Sequence, residues 1–438
     1  MTTSSSAASS PATLFGHPPG LTVLFLTQMW AEFSFFGLQA LLIYYLIHQL
    51  AMPQATASLV YGIYGATAYF SPVVGGYVAD RILGRTPAII LGGVLMMFGH
   101  FALAFEPLLY VGLTFVAVGN GLFLSPLAVQ IAALYTESDS RRAQAFSIYY
   151  MGINLGGLLA PIVCGTLGEK YGWHWGFAVA GVGMLVGMAI YLFFRSHLPP
   201  DPALQSSATH VRQPLTEQDR INLRILLAIG ASVILFRVGY EQSGNIIALW
   251  VDQQTDRNIH LFGRALEIPA TWFQSINPLI IILLTPVLVH FWRKRAESVG
   301  PPNLARRMAF GCVLASVASA VMVVAAWVHT STGHPVSPWW VVAYFVALTL
   351  GELHVLPIGL ALFGTLAPLT VASVIMGSWY IAKFLGSLVA GVMGTTWETI
   401  PHELFFMIGA GATLLAALAL YWIGRVQSHA PEAVATHG

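Results

Sequence analysis

One stretch near the middle of the chain decides the fold, Ile234-Leu-Phe-Arg-Val-Gly-Tyr-Glu-Gln-Ser-Gly-Asn245. It places an arginine and a glutamate, Arg237 and Glu241, inside a run of hydrophobic residues. The two charges are four residues apart, so on a helix they share one face. Charged side chains in a bilayer core are costly and persist where they face a bundle interior or a water-filled cavity. We therefore expect this helix to line a cavity.

The composition indicates a polytopic helical membrane protein. Of 438 residues, 56% are hydrophobic and 8% are charged, against about 25% charged in an ordinary soluble chain. The formal net charge of +1 gives no indication of a nucleic-acid partner. Cys164 and Cys312 lie in apolar runs and offer no disulfide framework. Because no metal-ligand spacing, nucleophile elbow or phosphate loop is present, we expect no enzyme activity, metal or cofactor.

Twelve apolar segments are each long enough to cross a hydrocarbon core of about 30 Å as a helix. The longest polar connection, residues 197–221, is rich in Pro, Ser and Gln and predicts a flexible cytoplasmic linker. It divides the chain into two pseudo-symmetric six-helix bundles, residues 20–196 and 222–428, flanked by tails at 1–19 and 429–438. The N-terminal tail reads as disordered and not as a signal peptide. The segments lie near 20–48, 55–80, 86–105, 108–136, 142–167, 172–196, 222–252, 269–292, 304–328, 336–366, 369–395 and 402–426.

Basic residues are distributed unevenly between the two sides of these segments. If the N-terminus is cytoplasmic, fourteen of the nineteen Lys and Arg residues fall on the inner side and three fall on the outer side. The remaining two, Arg237 and Lys383, lie within the membrane. Because basic residues concentrate in cytoplasmic connections, we expect both termini to be cytoplasmic.

A charged motif follows the second segment, Gly75-Gly-Tyr-Val-Ala-Asp80-Arg81-Ile-Leu-Gly84-Arg85. It resembles the cytoplasmic loop motif of the major facilitator superfamily. Glycines allow helices to approach closely, and Asp80 with Arg81 and Arg85 can form a gating cluster that closes the inner end and separates when it opens. The alternative is an ordinary positive loop on the inner side.

Further stretches resemble the proton-dependent oligopeptide transporter family. This resemblance implies a major facilitator fold, uptake of small peptides or peptide-like solutes with protons, and a monomer in the lipid bilayer of a bacterial inner membrane. The stretches are Phe146-Ser-Ile-Tyr-Tyr-Met-Gly-Ile-Asn154-Leu-Gly-Gly-Leu158, Tyr240-Glu241-Gln242, Ile268-Pro-Ala-Thr-Trp-Phe-Gln274-Ser-Ile-Asn277-Pro278, Gly351-Glu352-Leu-His-Val-Leu-Pro357-Ile-Gly359-Leu and Gly377-Ser-Trp379.

The resemblance also implies which side chains line the substrate cavity. Glu352 could hold a substrate ammonium, Asn154 and Asn277 could bond peptide amides, and Glu241 stands where the family has a proton-binding carboxylate. The alternative for each Asn or Gln is an interhelical hydrogen bond, worth about 1 kcal/mol. The implied substrate-binding residues are Tyr61, Tyr64, Tyr69, Asn154, Gln242, Gln274, Asn277, Glu352 and Trp379.

The chain departs from the family in its first and fourth helices. Where the family usually has Glu-x-x-Glu-Arg-Phe-x-Tyr-Tyr-Gly, this chain has Gln28-Met-Trp-Ala31-Glu32-Phe33-Ser-Phe35-Phe36-Gly37. Both carboxylates and the arginine are missing, and Glu32 stands at the arginine position. The family's Phe-Lys-Pro-Asn becomes Phe123-Leu124-Ser125-Pro126, so the cavity lysine is also absent.

Two basic residues stand where the family has none, Arg237 at a usual tryptophan position and Lys383 at a small-residue position. We predict proton coupling through Glu241, Arg237 and Glu32, and substrate binding by Lys383. A protonated Glu241 would release Arg237 to bind a substrate carboxylate, with Lys383 as the competing candidate. Alternatively, Arg237 forms a permanent bridge with Glu241 or Glu32, or one of the bases reaches an interface.

The main functional hypothesis is therefore a secondary active transporter that works by alternating access. A second hypothesis is a relative that has lost proton coupling or carries a non-peptide solute. A third is a membrane sensor or channel, but a channel would need a ring of like charges or a continuous pore. Scattered single charges in two repeated halves favour a transporter.

Overall fold

The first half of the protein is a bundle of six helices. The computed structural model describes residues 16–136, 139–201, 215–261, 264–300, 302–368 and 371–427. A π-helical turn, Tyr45–Gln49, continues the first helix, and another, Ala79–Leu83, continues the second. The helices are α1 (Pro19–Tyr44), α2 (Gln54–Val78), α3 (Arg85–Ala102), α4 (Leu109–Ala133), α5 (Arg141–Tyr171) and α6 (Trp173–Phe193).

The second half contains six further spans and a small hairpin. One span is interrupted, because a 3-10 turn at Glu241–Gly244 separates two helical segments. The elements are α7 (Glu217–Tyr240), α8 (Ile246–Gln254), β1 (Asn258–Leu261), β2 (Arg264–Glu267), α9 (Ile276–Val299), α10 (Leu304–Thr332), α11 (Trp339–Leu366), α12 (Ala372–Gly394) and α13 (His402–Gln427).

Eleven of the described helical segments, counting α7 and α8 as one, are long and apolar enough to cross a membrane. The helix α2 is the twelfth span. Its 25 residues reach about 37 Å at 1.5 Å per residue, and it packs along α4 and α12. The protein is therefore an integral membrane protein with the expected twelve helices.

Four details differ from the expectation. The helix α7 begins within the predicted linker, because Thr216 and Asp219 form a capping box, and residues 202–214 lie outside the described residues. The predicted continuous helix 222–252 is broken after Tyr240. The segment 269–292 starts as a 3-10 turn and then extends as a helix to Val299. The β1–β2 hairpin, paired antiparallel, was not expected.

Close backbone approaches hold helices of the first half together. A side chain on Gly75 of α2 would collide with the Gly121 carbonyl of α4. The pair Gly92 and Gly119 makes the same kind of contact between α3 and α4. In the connection between α2 and α3, Gly84 has a φ of 86°, a conformation that L side chains rarely adopt. Gly75 thus has the packing role expected of the glycines in the charged motif, and Gly84 adds a backbone role that was not predicted.

The two halves meet along two seams, α2 against α12 and α5 against α9. We call the end of the bundle that carries the β1–β2 hairpin the hairpin end, and the end where α6 stops and α7 starts the linker end. Near the hairpin end, Gly62 and Gly391 bring the backbones of α2 and α12 together. Further along the same seam, the rings of Phe70 and Phe384 lie 5.6 Å apart. Each half also contains one free, fully buried cysteine, Cys164 and Cys312.

Candidate functional site

A cavity of about 590 Å³ lies between the two halves and is lined by helices of both. Its volume is in the usual range for small-molecule sites. The structure brings most of the predicted site residues to this one cavity. These are Glu32, Tyr61, Tyr69, Asn154, Arg237, Glu241, Gln274, Asn277, Glu352, Trp379 and Lys383.

Arg237 is paired with Glu241 on the same helix face. Its Nη2 donates to Glu241 Oε1 and also lies 3.4 Å from Ser387 Oγ of α12. The arginine is 1% exposed, so it does not reach a membrane interface. Breaking such a buried pair by removing one partner costs about 3–5 kcal/mol, because the remaining charge is left uncompensated.

The ring of Tyr69, on α2, faces two cations of the other half. The Arg237 guanidinium carbon lies 4.4 Å from the ring centroid, and Lys383 Nζ lies 4.4 Å from the same centroid. In the part of the chain that the structure describes, Lys383 has no carboxylate oxygen within 4.0 Å. A cation over an aromatic ring face is attracted to it electrostatically. This attraction does not replace the carboxylate partner that a buried ammonium requires. Lys383 therefore remains available to an anionic group in the cavity.

Glu352 is held by a neighbouring helix of its own half. Asn277 Nδ2 of α9 donates to Glu352 Oε2 at 2.8 Å and to Thr349 Oγ1 at 2.9 Å. The carboxylate is 8% exposed and faces the cavity. One turn further along α11, Pro357 interrupts the helical hydrogen bonding. This geometry fixes an acid at the cavity wall without neutralising it.

Glu32 lies on the opposite wall and has a neutral partner. Gln28 Nε2, one turn earlier on α1, donates to Glu32 Oε1 at 2.6 Å. Of the two bridges considered for Arg237, the structure shows the one with Glu241 and not the one with Glu32.

Two predicted lining residues lie elsewhere. Gln242 Nε2 donates to the Ala390 carbonyl at 3.0 Å, so its side chain joins α12 to the turn after α7. Tyr64 is buried behind the ring of Phe35, with the two centroids 6.3 Å apart. Gln242 therefore makes the interhelical hydrogen bond that was given above as the alternative to lining the cavity.

Asn154 and Gln274 line the cavity while bonding to backbone. Asn154 Nδ2 donates to the Tyr150 carbonyl at 2.9 Å within α5. Gln274 Nε2 donates to the Ala40 carbonyl of α1 at 3.2 Å, which links the two halves. Their amide groups are therefore partly engaged before any solute binds.

The structure adds polar lining residues that the sequence analysis missed. Two of them have a simple spacing signal, since Asn120 and Tyr150 each lie one helical turn before a residue already singled out, Leu124 and Asn154. The added residues are Gln39, Asn120, Tyr150, Tyr240, Ser243 and Tyr380.

The predicted gating residues lie at the linker end, away from the cavity. Arg85 Nε is 3.6 Å from Asp80 Oδ1, and the Arg81 guanidinium lies 6.0 Å from the Tyr77 ring centroid. Nearby, Asp201 accepts from the Thr86 backbone N–H at 2.9 Å. The Asp80–Arg85 and Arg81–Tyr77 contacts lie within the first half, and the Thr86–Asp201 contact joins that half to the linker.

Polar contacts between the halves close the hairpin end. His48 Nε2, in the π-helical turn that continues α1, lies 2.7 Å from Asp252 Oδ2 of α8. Glu169 at the end of α5 accepts from the backbone N–H groups of Ala270 and Thr271 at 2.9 and 2.8 Å. Deeper in the bundle, Ser58 Oγ donates to Asn245 Oδ1 at 2.9 Å.

At the other side of the cavity, the lining residues are accessible. Tyr150 is 38% exposed and Leu360 is 39% exposed, and both lie on the parts of α5 and α11 that run toward the linker end. The cavity is therefore sealed toward the hairpin end and accessible from the linker end.

Known proteins similar to this chain are transporters. The family model of the Major Facilitator Superfamily matches residues 24–391. The Peptide transporter YePEPT of Yersinia enterocolitica subsp. palearctica is 33% identical, with 87% of this chain and 88% of the relative covered. The Uncharacterized transporter YclF of Bacillus subtilis is 31% identical, with 93% and 94% covered. A crystal structure of a POT family transporter in complex with 5-aminolevulinic acid is 25% identical, with a TM-score of 0.87 over 95% of this chain and 98% of that chain. These similarities confirm the expected twelve-helix fold.

Proposed function

Because this chain belongs to the major facilitator superfamily and, within it, to the proton-dependent oligopeptide transporter family, we propose that it imports di- or tripeptides or peptide-like solutes together with protons. The observation that carries the proposal is the cavity between the halves, where Glu352 and Lys383 present opposite charges without being paired to each other. A peptide has an ammonium and a carboxylate, which match these two groups.

In the bound complex, Glu352 holds the amino terminus of the solute. Asn277 already orients this carboxylate through a 2.8 Å hydrogen bond, and an arriving ammonium offsets the cost of burying it. Lys383, which belongs to the same half as Glu352, binds the carboxylate of the solute. Trp379 and Tyr61 pack variable side chains, since they supply apolar surface to the cavity.

Transport proceeds by alternating access in a bacterial inner membrane, with the linker end and both termini in the cytoplasm. The excess of basic residues on that side supports this orientation. The described arrangement then corresponds to the inward-facing state, because the hairpin end is closed by contacts between the halves. One chain is sufficient as the transport unit, since residues of a single chain form the cavity.

Asp80, Arg81 and Arg85 regulate closure of the inner end. The Asp80–Arg85 contact lies within one half in the described state. On closure of the inner end, these charges exchange partners with groups of the other half. They therefore bias the equilibrium between states without contacting the solute.

Proton coupling uses the Arg237–Glu241 pair. A proton on Glu241 removes the charge that holds Arg237, and the guanidinium then becomes available to a solute carboxylate beside Lys383. Both cations already lie against Tyr69 of the first half. The protonation state of Glu241 therefore changes the contacts between the halves as well as those with the solute.

The test is Glu241→Gln in proteoliposomes, measured for proton-driven accumulation of a dipeptide and for counterflow exchange, which needs no net proton movement. We expect accumulation to be lost and exchange to survive. Glu398→Gln, an isosteric change at an exposed residue outside the cavity, should leave both unchanged. Accumulation at the wild-type level in the Glu241 variant would contradict the coupling role and make Glu32 the next group to test.

A second function, a carrier without proton coupling, is favoured by the absence of both first-helix carboxylates of the family motif. In that case the wild-type protein exchanges solute but does not accumulate it under an imposed pH gradient. The wild-type arm of the same experiment therefore separates the two functions.

A further inference from the structure

The charged groups of the cavity do not balance. Among the residues that the structure describes, three carboxylates and two cations line it, Glu32, Glu241 and Glu352 against Arg237 and Lys383. Arg237 and Glu241 neutralise each other as a hydrogen-bonded pair. Two carboxylates then remain, Glu32 of the first half and Glu352 of the second. Lys383 balances the charge of one of them, which leaves a surplus of one negative charge.

This surplus has to be compensated when the cavity closes around a solute. An isolated carboxylate that loses contact with water is strongly disfavoured, so it acquires a proton or a cation. A neutral dipeptide brings one ammonium and one carboxylate, so the missing positive charge has to come from a proton, such as the one that we place on Glu241. A peptide with a basic side chain supplies that charge itself.

We infer, building on the proposed function, that the cavity selects peptides with a net positive charge, and that the second cation of the solute binds Glu32. A neutral peptide is carried only with the coupling proton that we place on Glu241. The proton and the basic side chain thus substitute for each other in the charge balance of the cavity.

The surroundings of Glu32 fit this role. Gln28 holds one of its oxygens at 2.6 Å, and the carboxylate lies on the cavity wall. Phe35 and Phe36, the next lining residues of α1, offer apolar surface for the aliphatic stem of a lysine or arginine side chain. Lys383 lines the same cavity as Glu32 and Glu352, so a solute carboxylate placed there completes the balance.

The experiment compares alanyl-lysine, alanyl-alanine and alanyl-glutamate as competitors of a labelled dipeptide in proteoliposomes that contain the full chain. For the wild type, we expect half-inhibition by alanyl-lysine at a concentration about tenfold below that of alanyl-alanine, which corresponds to about 1.4 kcal/mol. Alanyl-glutamate should be the weakest competitor. Glu32→Gln should remove the preference for alanyl-lysine, whereas the control variant Glu398→Gln should retain it.

Proton movement provides a second readout on the wild type, so the inference stays testable if the Glu32 variant folds poorly. Acidification of the vesicle lumen per peptide should be larger for alanyl-alanine than for alanyl-lysine. Equal affinities and equal acidification for the two peptides would overturn the inference and leave peptide transport standing. Absence of saturable uptake for all three peptides would overturn the proposed function, and this inference with it.

Discussion

The two halves of the bundle contribute differently to the cavity. Of the described residues, the first half supplies one charged lining residue, Glu32, whereas the second supplies Arg237, Glu241, Glu352 and Lys383. In the family motif that this chain resembles, the first and fourth helices carry charges, and here those positions are mostly neutral. The comparison indicates that the charged residues of a transporter of this fold can lie in either half, while the cavity between the halves is retained.

The halves also differ in backbone continuity beside the cavity. The span formed by α7 and α8 is interrupted at Glu241–Gly244, so Glu241 of the Arg237–Glu241 pair is the first residue of the break. Opposite it, α1 passes the cavity as one continuous helix. A charge change in the second half therefore acts beside a break in a helix, where backbone adjustment is easier, while the first half acts as a continuous wall.

The largest effect is expected from removing a single carboxylate of the second half, that of Glu352. Glu352→Gln should reduce uptake of substrates that have a free amino terminus by about a hundredfold or more, because loss of a buried charge partner costs about 3–5 kcal/mol. Uptake of labelled alanyl-alanine measures the effect. The variant should remain folded, since glutamine can still accept from Asn277. Unchanged uptake would remove Glu352 from the site and weaken the contrast between the halves.

An intermediate effect is expected from the packing of the first half. Gly75→Ala should lower thermal stability by about 1–3 kcal/mol, the usual cost of overpacking, because its methyl group meets the Gly121 carbonyl. Gly65→Ala on the same helix is the matched control, since a Cβ at that position meets nothing within 4 Å. Thermal unfolding of the two purified variants gives the comparison. Equal melting temperatures would show that the first half is not held by this close approach.

The smallest effect is expected at the linker end. Asp80→Asn should reduce turnover about threefold with little change in substrate affinity, because exposed ion pairs contribute about 0–1 kcal/mol. Asp80 is outside the cavity and 3.6 Å from Arg85. Uptake rates at saturation and binding affinity are measured separately. A large loss of affinity with unchanged turnover would contradict the gating role.

The twelve spans were predictable because span length and hydropathy depend on composition alone. The break after Tyr240 was not, since Glu241-Gln242-Ser243-Gly244 contains no proline that would interrupt a helix. The β1–β2 hairpin was also missed, because four-residue strands are too short for a periodic pattern.

Lining residues of the cavity could be predicted if they belonged to a motif, as Glu352 does, or carried an isolated charge in an apolar segment, as Lys383 does. Sequence alone could not separate Gln242, which bonds to a carbonyl of α12, from Gln274, which lines the cavity. Both lie near a turn in an apolar segment, and which one faces the solute depends on local backbone direction. The Arg237 partner was likewise left open between Glu241 and Glu32 until the geometry was known.

The two cysteines have a practical consequence for spectroscopy. The sequence contains only Cys164 and Cys312, and both are fully buried, so the native protein should react slowly with thiol-directed labels. Reporter cysteines can therefore be introduced in pairs, one per half, without first replacing the native thiols. Spin labels at the linker end and at the hairpin end would then record the distance between the halves as solute and pH are varied.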